Sequence, residues 1–390
     1  MPSAIALALA LATAPQGPAS TPAAIGEILE PGTIVQDVRC LADPTQGYAL
    51  YLPKTYTRDR AWPIILGFDP GGRGRNPVER YQLAADTYGY IVAGSNNSRN
   101  GSSDTTRAVS AMSADLAARF RVDTTRVYTA GMSGGARVAV GVALVSSNVA
   151  AVIASSAGLP DGQPRKALRF PIFMTAGTED FNHLEMRTLD RALTTPHRLV
   201  VFDGGHQWLS PALALEGVEW LELQAMKTGL KPKDEGEIAA ILAKRAAALA
   251  GMEAPGAIWS ALGAIVQDFQ GLSDVSEFAR RADALAQDKQ VRDAVQRDRE
   301  EDDRELKQLM DVRSAEARLA VVDERAGALL DLQAIWKSLA ERAGKPADSA
   351  DRRLARRLLS ALTAGTSTSD ADYQRIIGKY GQRPGQPTRQ

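Results

Sequence analysis

The sequence predicts an α/β fold with a mostly parallel, doubly wound sheet, followed by an all-α region. Up to about residue 228, short apolar segments rich in β-branched residues alternate with helical segments, as right-handed β-α-β crossovers require. After the charged segment 227–236, which contains Pro and Gly, the chain is rich in Ala, Leu, Arg and Asp. The length of 390 residues is sufficient for two domains.

The sheet is predicted to start with two antiparallel strands, at 33–38 and 47–53. Parallel strands are expected at 62–68, 89–94, 126–130, 150–155, 170–176 and 198–202. Residues 211–226 predict the last helix of this region, because apolar residues recur there at helical spacing.

Beyond this region, helices are predicted over 238–250, 255–270 and 274–286, followed by a long antiparallel pair made of a highly charged helix over 288–309 and a more apolar one over 312–343. Residues 259–263 match the start of a tetratricopeptide repeat, but no second copy follows about 34 residues later. A stack of such repeats is therefore one interpretation of the helical region. The predicted domains are 25–229 and 237–380, followed by a disordered tail at 381–390.

The segment Gly131-Met132-Ser133-Gly134-Gly135 has the pattern G-x-S-x-G between a predicted strand and an apolar helix. A serine on such a sharp turn has strained backbone angles, and bulk two residues away on either side would clash with neighbouring backbone. The pattern also occurs by chance as a Gly/Ser turn. The strand before it and the helix after it favour Ser133 as a nucleophile.

A nucleophilic serine requires a base, and the chain has three histidines. His206 follows the strand 198–202 in a Gly-Gly loop, at the C-terminal edge of a parallel sheet, and is the favoured base. His197 precedes the same strand at its opposite end, and His183 is expected in the first turn of the next helix. These two are the alternatives.

The acid is expected after the strand 170–176, because the order on such a fold is Ser, Asp or Glu, His. Glu179 and Asp180 follow this strand, and Asp180 is preferred. Glu179 stays open as the alternative, and either carboxylate can also serve as a helix N-terminal acid. Asp203 is closer to His206 in sequence, but its position at the exit of the histidine's own strand is less suited to support the ring.

With Ser133, Asp180 and His206 in this order, residues 33–228 resemble the α/β-hydrolase superfamily. The segments that carry the resemblance are 48–53, 62–72, 131–135, 177–180 and 205–206. Within this superfamily the chain resembles secreted feruloyl esterases, polyhydroxybutyrate depolymerases and dienelactone hydrolase-like proteins. The resemblance implies a serine hydrolase that cleaves a carboxylic ester through an acyl-enzyme on Ser133, with no cofactor and no metal.

The sequence departs from many such relatives after the third strand, where they carry His-Gly and this chain reads Asp-Pro-Gly-Gly at 69–72. Proline has no N–H to donate. The resemblance therefore assigns the oxyanion hole to the N–H of Gly134 together with that of Gly71 or Gly72. Asp69 is expected to turn away from the oxyanion, toward Arg73 or Arg75.

Three residues are candidate substrate contacts. The loop 95–101 leaves the C-terminal end of a strand, where open α/β sheets bind ligands, and it carries Asn96 and Arg99. An Asn/Gly turn held by its own side chains is an equally good interpretation of this loop. Trp208, two residues after His206, is either a wall of the substrate cleft or a cover on the core.

Composition and charge limit the possible partners. The chain has 46 basic and 46 acidic residues, which predicts no general attraction to nucleic acid or to anionic membranes, and it contains no apolar run long enough to span a membrane. The Ala/Leu run 4–14 and the Pro/Ser/Thr/Ala stretch to residue 24 predict a signal peptide. Secreted or periplasmic location is expected, and a disordered N-terminus of a cytoplasmic protein is the alternative. Cys40 is the only cysteine, so no intramolecular disulfide can form.

Two classes of function follow from these observations. The first is a serine hydrolase acting on a small-molecule or carbohydrate-linked ester, with an amidase or peptidase on the same triad as a variant. The second is an interaction protein, in which the helical region binds a protein partner and the hydrolase fold is a platform. An intact Ser-Asp-His set favours the enzyme, because folding alone does not require all three residues.

Overall fold

The computed structural model describes residues 29–366 and 368–381. The predicted signal peptide at 1–24 lies outside the described residues, as does the predicted tail apart from Gly381. Within the described ranges, every helix is too short or too polar to cross a membrane.

A mostly parallel sheet forms the centre of the first region. Its strands are β1 (Ile34–Arg39), β2 (Gly47–Tyr51), β3 (Trp62–Phe68), β4 (Ile91–Ser95), β5 (Val122–Met132), β6 (Val149–Ser155), β7 (Ile172–Gly177) and β8 (His197–Phe202). They pair in the order β1-β2-β4-β3-β5-β6-β7-β8, with β2 antiparallel to both of its neighbours and the later strands parallel. This is the strand order of the α/β-hydrolase fold, and the predicted fold class is confirmed.

Helices cover both faces of this sheet, as a doubly wound fold requires. They are α1 (Arg75–Tyr88), α2 (Thr105–Arg119), α3 (Gly134–Val145), α4 (His183–Ala192) and α5 (Pro211–Thr228). Side chains of α2, α3 and α4 share one apolar layer with Ile64 and Leu66, whereas α1 and α5 share the other layer with Ile65. Successive residues of β3 therefore point to opposite layers, and the strand is buried on both faces.

The second region is helical, as predicted. It contains α6 (Glu235–Leu249), α7 (Pro255–Phe269), α8 (Ser276–Ala286), α9 (Lys289–Arg318), α10 (Arg325–Ala343), α11 (Ala350–Gly365) and α12 (Ala371–Tyr380). The predicted helix pair is wrong in its division, because α9 continues through the change in composition near residue 310 and ends only at Arg318. Two further helices, α11 and α12, were not predicted. The tetratricopeptide match at 259–263 lies inside α7, and a repeat stays a prediction.

The boundary predicted at 229–236 is a change in composition and not a gap in the packing. Leu223 and Met226 of α5 are buried in one apolar cluster with Ile238 of α6 and Phe269 of α7. A separate cluster around Trp336 joins α9, α10, α11 and α12. Helices α6 and α7 thus extend the layer that α5 begins.

Candidate active site

Ser133 lies on the sharp turn between β5 and α3, with φ 54° and ψ −125°. This backbone conformation is rare for a residue with a side chain and requires close approach by its neighbours. A Cβ on Gly131 would lie 2.2 Å from the carbonyl oxygen of Gly135, and a Cβ on Gly135 would lie 2.0 Å from that of Phe68. Both glycines of the pattern are therefore required by the backbone contacts around Ser133.

The structure brings Ser133, His206 and Asp180 together at the C-terminal edge of the sheet. His206 Nε2 is 2.8 Å from Ser133 Oγ, and His206 Nδ1 is 2.8 Å from Asp180 Oδ1. The Asp180 carboxylate is fully buried, and the backbone N–H of Asn182 donates to the same Oδ1 at 2.8 Å. An Nδ1–H donated to this carboxylate leaves Nε2 free to accept the serine hydroxyl proton.

The alternative acids and bases point elsewhere. Glu179 accepts from Arg356 Nη1 of α11, at 2.9 and 3.1 Å, and the Asp203 side chain is 88% exposed. His197 lies at the start of β8, where its Nδ1 is 2.6 Å from the carbonyl oxygen of Thr195. The geometry thus selects Asp180 over its neighbour Glu179.

His183 is the first residue of α4 and is buried behind the acid loop. Its Nδ1 is 3.0 Å from the carbonyl oxygen of Gly177. Burial, together with the nearby charges of Arg357 and Arg187, lowers the pKa of His183 to about 4. The ring is therefore neutral at pH 7, donates Nδ1–H to Gly177, and supports the loop without a charge beside Asp180.

Phe181 covers the base. Its ring stacks on the imidazole of His206 with centroids 3.9 Å apart and an angle of 29° between the planes. This contact restricts the rotation of the imidazole, and an aromatic face stabilises the imidazolium that forms when the base takes a proton. Sequence analysis missed Phe181, although its place directly after the favoured acid is a signal that could have identified it.

Ser133 opens into a cavity of about 710 Å³. Its lining includes arginine side chains of α1 and of the loop after β3, and apolar residues of β8 and α5. The lining residues besides Ser133 and His206 include Pro70, Arg73, Arg80, Asn100, Met132, Phe202, Trp208 and Leu213. Among residues 29–366 and 368–381, no three or more His, Cys, Asp or Glu side chains are grouped so as to hold a metal ion.

The predicted oxyanion donors of the loop after β3 are not free. The N–H of Gly71 donates to Asp69 Oδ1 at 2.8 Å, and the N–H of Gly72 donates to the Asp69 carbonyl oxygen at 3.0 Å. An aspartate side chain commonly captures the backbone N–H two residues later, and the prediction did not account for this bond. The N–H of Gly134 has no acceptor within the described part of the chain and remains available.

Asp69 is fully buried and turns toward Arg73, whose Nε lies 3.0 Å from Oδ1. Its other oxygen accepts from Asn76 Nδ2 at 2.8 Å and from Trp208 Nε1 at 2.9 Å. Burial alone would raise the pKa of Asp69, but the hydrogen bonds from Trp208, Asn76, Arg73 and Gly71 outweigh burial and lower this pKa below its usual value. Trp208 is thereby fixed as a wall of the cavity, and it also packs against the second core layer.

The predicted contacts Asn96 and Arg99 do not line the cavity. Asn96 Oδ1 accepts from the N–H of Gly74 at 3.2 Å, and its Nδ2 donates to the carbonyl oxygen of Gln36 at 3.0 Å. Arg99 is exposed, and its backbone pairs with that of Gly71. The residue of this loop that reaches the cavity is Asn100, which sequence analysis did not single out.

Comparisons with known proteins find similarity only among solved structures. No protein-family profile matches the sequence, and no curated protein is similar to it in sequence. A puromycin hydrolase structure aligns at 16% identity and TM-score 0.37 over 51% of this chain and 39% of that protein. Native esterase 2 of Thermogutta terrifontis aligns at 17% identity and TM-score 0.38 over 51% of this chain and 93% of that protein. The Pyrococcus horikoshii acylaminoacyl peptidase aligns at 12% identity and TM-score 0.33 over 47% of this chain and 39% of that protein.

The chain therefore spans about two fifths of the length of the puromycin hydrolase and of the acylaminoacyl peptidase. All three TM-scores are below 0.5, so these similarities carry no argument about this chain. Its fold class is assigned from its own strand order.

Proposed function

We propose that the protein is a serine hydrolase that cleaves a carboxylic ester through an acyl-enzyme on Ser133. The observation that carries the proposal is the unbroken line from Asp180 through His206 to Ser133, with both hydrogen bonds at 2.8 Å. The serine of this strained turn lines a cavity large enough for a small organic ester. A structural serine needs neither the strain nor the aligned base.

In the first half of the reaction, Ser133 Oγ attacks the ester carbonyl carbon while its proton passes to His206 Nε2. The π-electron pair of the carbonyl moves onto the oxygen and forms a tetrahedral oxyanion, which faces the N–H of Gly134. When the carbonyl re-forms, the C–O bond to the alcohol breaks, and the imidazolium returns the proton to the departing alkoxide. The alcohol leaves and the acyl group stays on Ser133.

In the second half, a water molecule attacks the acyl carbon and gives a proton to His206 Nε2. The second tetrahedral intermediate collapses with cleavage of the bond to Ser133 Oγ, which takes that proton back. The carboxylic acid is released and the serine is restored. Asp180 keeps the imidazole in one tautomer and stabilises its charged form in both halves.

The leaving group favours an ester over an amide, and the cavity suits the acyl part of either. An alkoxide leaves with less protonation than an amine, so an ester makes smaller demands on His206 as an acid. The cavity is open and carries apolar side chains, among them Phe202, Leu213 and Trp208, which suit an acyl or aryl group.

The test is covalent labelling with a fluorophosphonate, followed by turnover of p-nitrophenyl esters of increasing acyl length and of the matching anilides. We expect labelling of the wild-type chain and its loss in Ser133→Ala, with turnover lowered by several orders of magnitude. Ser147→Ala is the matched control, because Ser147 is exposed and precedes β6 at the far end of the sheet.

Labelling that persists in a folded Ser133→Ala variant would overturn the proposal. Faster turnover of the anilides than of the esters would overturn only the assignment to esters.

A further inference from the structure

Of the three backbone N–H groups that the resemblance assigns to the oxyanion hole, only that of Gly134 is free in the described ranges. Acyl-transfer sites generally present two or more donors to this oxygen. The loop after β3 does not supply the second, because Pro70 lacks an N–H and those of Gly71 and Gly72 are bonded to Asp69. Another group must complete the oxyanion hole if the site works as proposed.

The carboxamide of Asn100 lies directly against Gly134. A Cβ built on Gly134 would lie 1.7 Å from Asn100 Oδ1 and 2.8 Å from Asn100 Nδ2. Asn100 and Ser133 line the same cavity. Among the hydrogen bonds of the described residues, Asn100 takes part only through its backbone N–H, so its Nδ2–H groups are available to a ligand.

The backbone of Asn100 is fixed although its side chain is free. Its N–H donates to the carbonyl oxygen of Pro70 at 2.8 Å, and the neighbouring Arg99 pairs with Gly71. The loop after β4, which carries Asn100, is thus bonded to the loop after β3, in which the N–H groups of Gly71 and Gly72 are occupied. A donor on an anchored backbone stabilises developing charge at little cost in reorganisation.

We propose that Asn100 is a further catalytic residue, which donates its Nδ2–H to the oxyanion together with the N–H of Gly134. The inference rests on the proposed function of Ser133. As Ser133 Oγ bonds to the carbonyl carbon, the π pair moves to the oxygen, and both donors bond to that oxygen. Rotation about the soft Cβ–Cγ torsion of Asn100 is sufficient to present Nδ2. Of the two arginines that line the cavity, Arg73 and Arg80, Arg73 is paired through Nε with Asp69.

The test compares Asn100→Ala and Asn100→Asp with the wild-type chain, using p-nitrophenyl esters and the rate of fluorophosphonate labelling. Asn100→Asp keeps the shape of the side chain but has no N–H to donate. We expect kcat to fall about 10²- to 10³-fold in both variants, with KM changed only a few-fold. Ser103→Ala is the matched control, since Ser103 is an exposed residue of the same loop, and its kcat should stay within twofold of wild type.

The outcomes separate the two proposals. A folded Asn100→Ala variant whose kcat lies within threefold of wild type would overturn the role of Asn100 alone, provided that wild type is labelled at Ser133. A rise in KM at unchanged kcat would also overturn it, because it indicates substrate binding without stabilisation of the oxyanion. A wild-type protein that is neither labelled nor active would overturn both. Thermal unfolding of each variant shows whether a loss of kcat reflects a loss of fold.

Discussion

Helix α11 of the helical region braces the loop that carries Asp180, the proposed catalytic acid. Arg357 Nη1 donates to the carbonyl oxygen of Thr178 at 2.8 Å, two residues before Asp180. The same guanidinium donates to Glu305 at 2.8 and 2.7 Å and to Glu301 at 2.8 Å. The side chains of Arg357 and Glu305 are 2% and 1% exposed, so this contact is a buried ion pair.

Replacing Arg357 by methionine should therefore destabilise the protein. The substitution leaves Glu305 buried without its partner, and breaking a buried pair in this way costs about 3–5 kcal/mol of the free energy of unfolding. The carbonyl of Thr178 also loses its donor, at a cost of about 1–3 kcal/mol that is not simply additive. Burial already raises the pKa of Glu305. Protonation of Glu305 relieves part of the loss, so the loss should be smaller at pH 5 than at pH 8.

Activity should fall as well, because the loop that positions Asp180 is no longer held. Displacement of a catalytic group by about 1 Å costs up to about 10²-fold, and we expect kcat to drop by about tenfold or more. The assay is urea denaturation of the full chain at both pH values, together with kcat on a p-nitrophenyl ester. The double variant Arg357→Met/Glu305→Gln should recover the part of the stability lost to the unpaired charge, but neither the rest nor kcat, since Thr178 still lacks its donor.

Arg375→Met is the control for this experiment. Its side chain is 77% exposed and pairs with Asp372 on the surface, so its loss should cost less than about 0.5 kcal/mol. A loss below about 1 kcal/mol in Arg357→Met would refute the brace. Unchanged kcat in the folded double variant would refute its connection to the acid loop.

Three further predictions concern the site. Asp180→Asn should lower kcat by about 10³- to 10⁴-fold and Glu179→Gln only a few-fold, since only Asp180 bonds to His206; the reverse order would exchange the two roles. The pKa of His183 is lowered to about 4 in the folded protein. Between that pH and about 6.5, the unfolded chain therefore binds more protons at this histidine than the folded chain does. Urea denaturation should show stability falling across this window as pH is lowered, and less steeply in His183→Asn. Phe181→Ala should lower kcat several-fold with little change in KM, and an unchanged kcat would show that the stack on the imidazole has no role.

The sheet and the positions of Ser133, Asp180 and His206 could be predicted because each depends on a local pattern. Where an apolar strand ends at a glycine or a turn, the polar side chain that follows lies at the C-terminal edge of the sheet. The order of the strands along the chain then brings the three loops together. The choice of Asp180 over Glu179 followed from the same local reasoning.

The oxyanion hole could not be predicted in the same way, because it depends on which hydrogen bonds form between loops. The N–H of Gly71 is occupied only because the Asp69 side chain folds back onto it, and Asn100 reaches Gly134 only because its own loop bonds to Pro70. The end of α9 was missed for a related reason. Val312 and Ala315 lie past the change in composition and are buried against α10 and α11, and the local sequence pattern does not show this packing.

The brace from α11 also has a consequence for synthesis of the chain. Thr178 and Arg357 are 179 positions apart, so the acid loop leaves the ribosome long before its partner helix exists. At about 5–20 residues per second, this interval is on the order of ten to forty seconds. During it the sheet can form, but the loop of Asp180 has no contact with α11. Full activity should therefore appear late in translation, when the last helices have been made and have docked on the completed sheet.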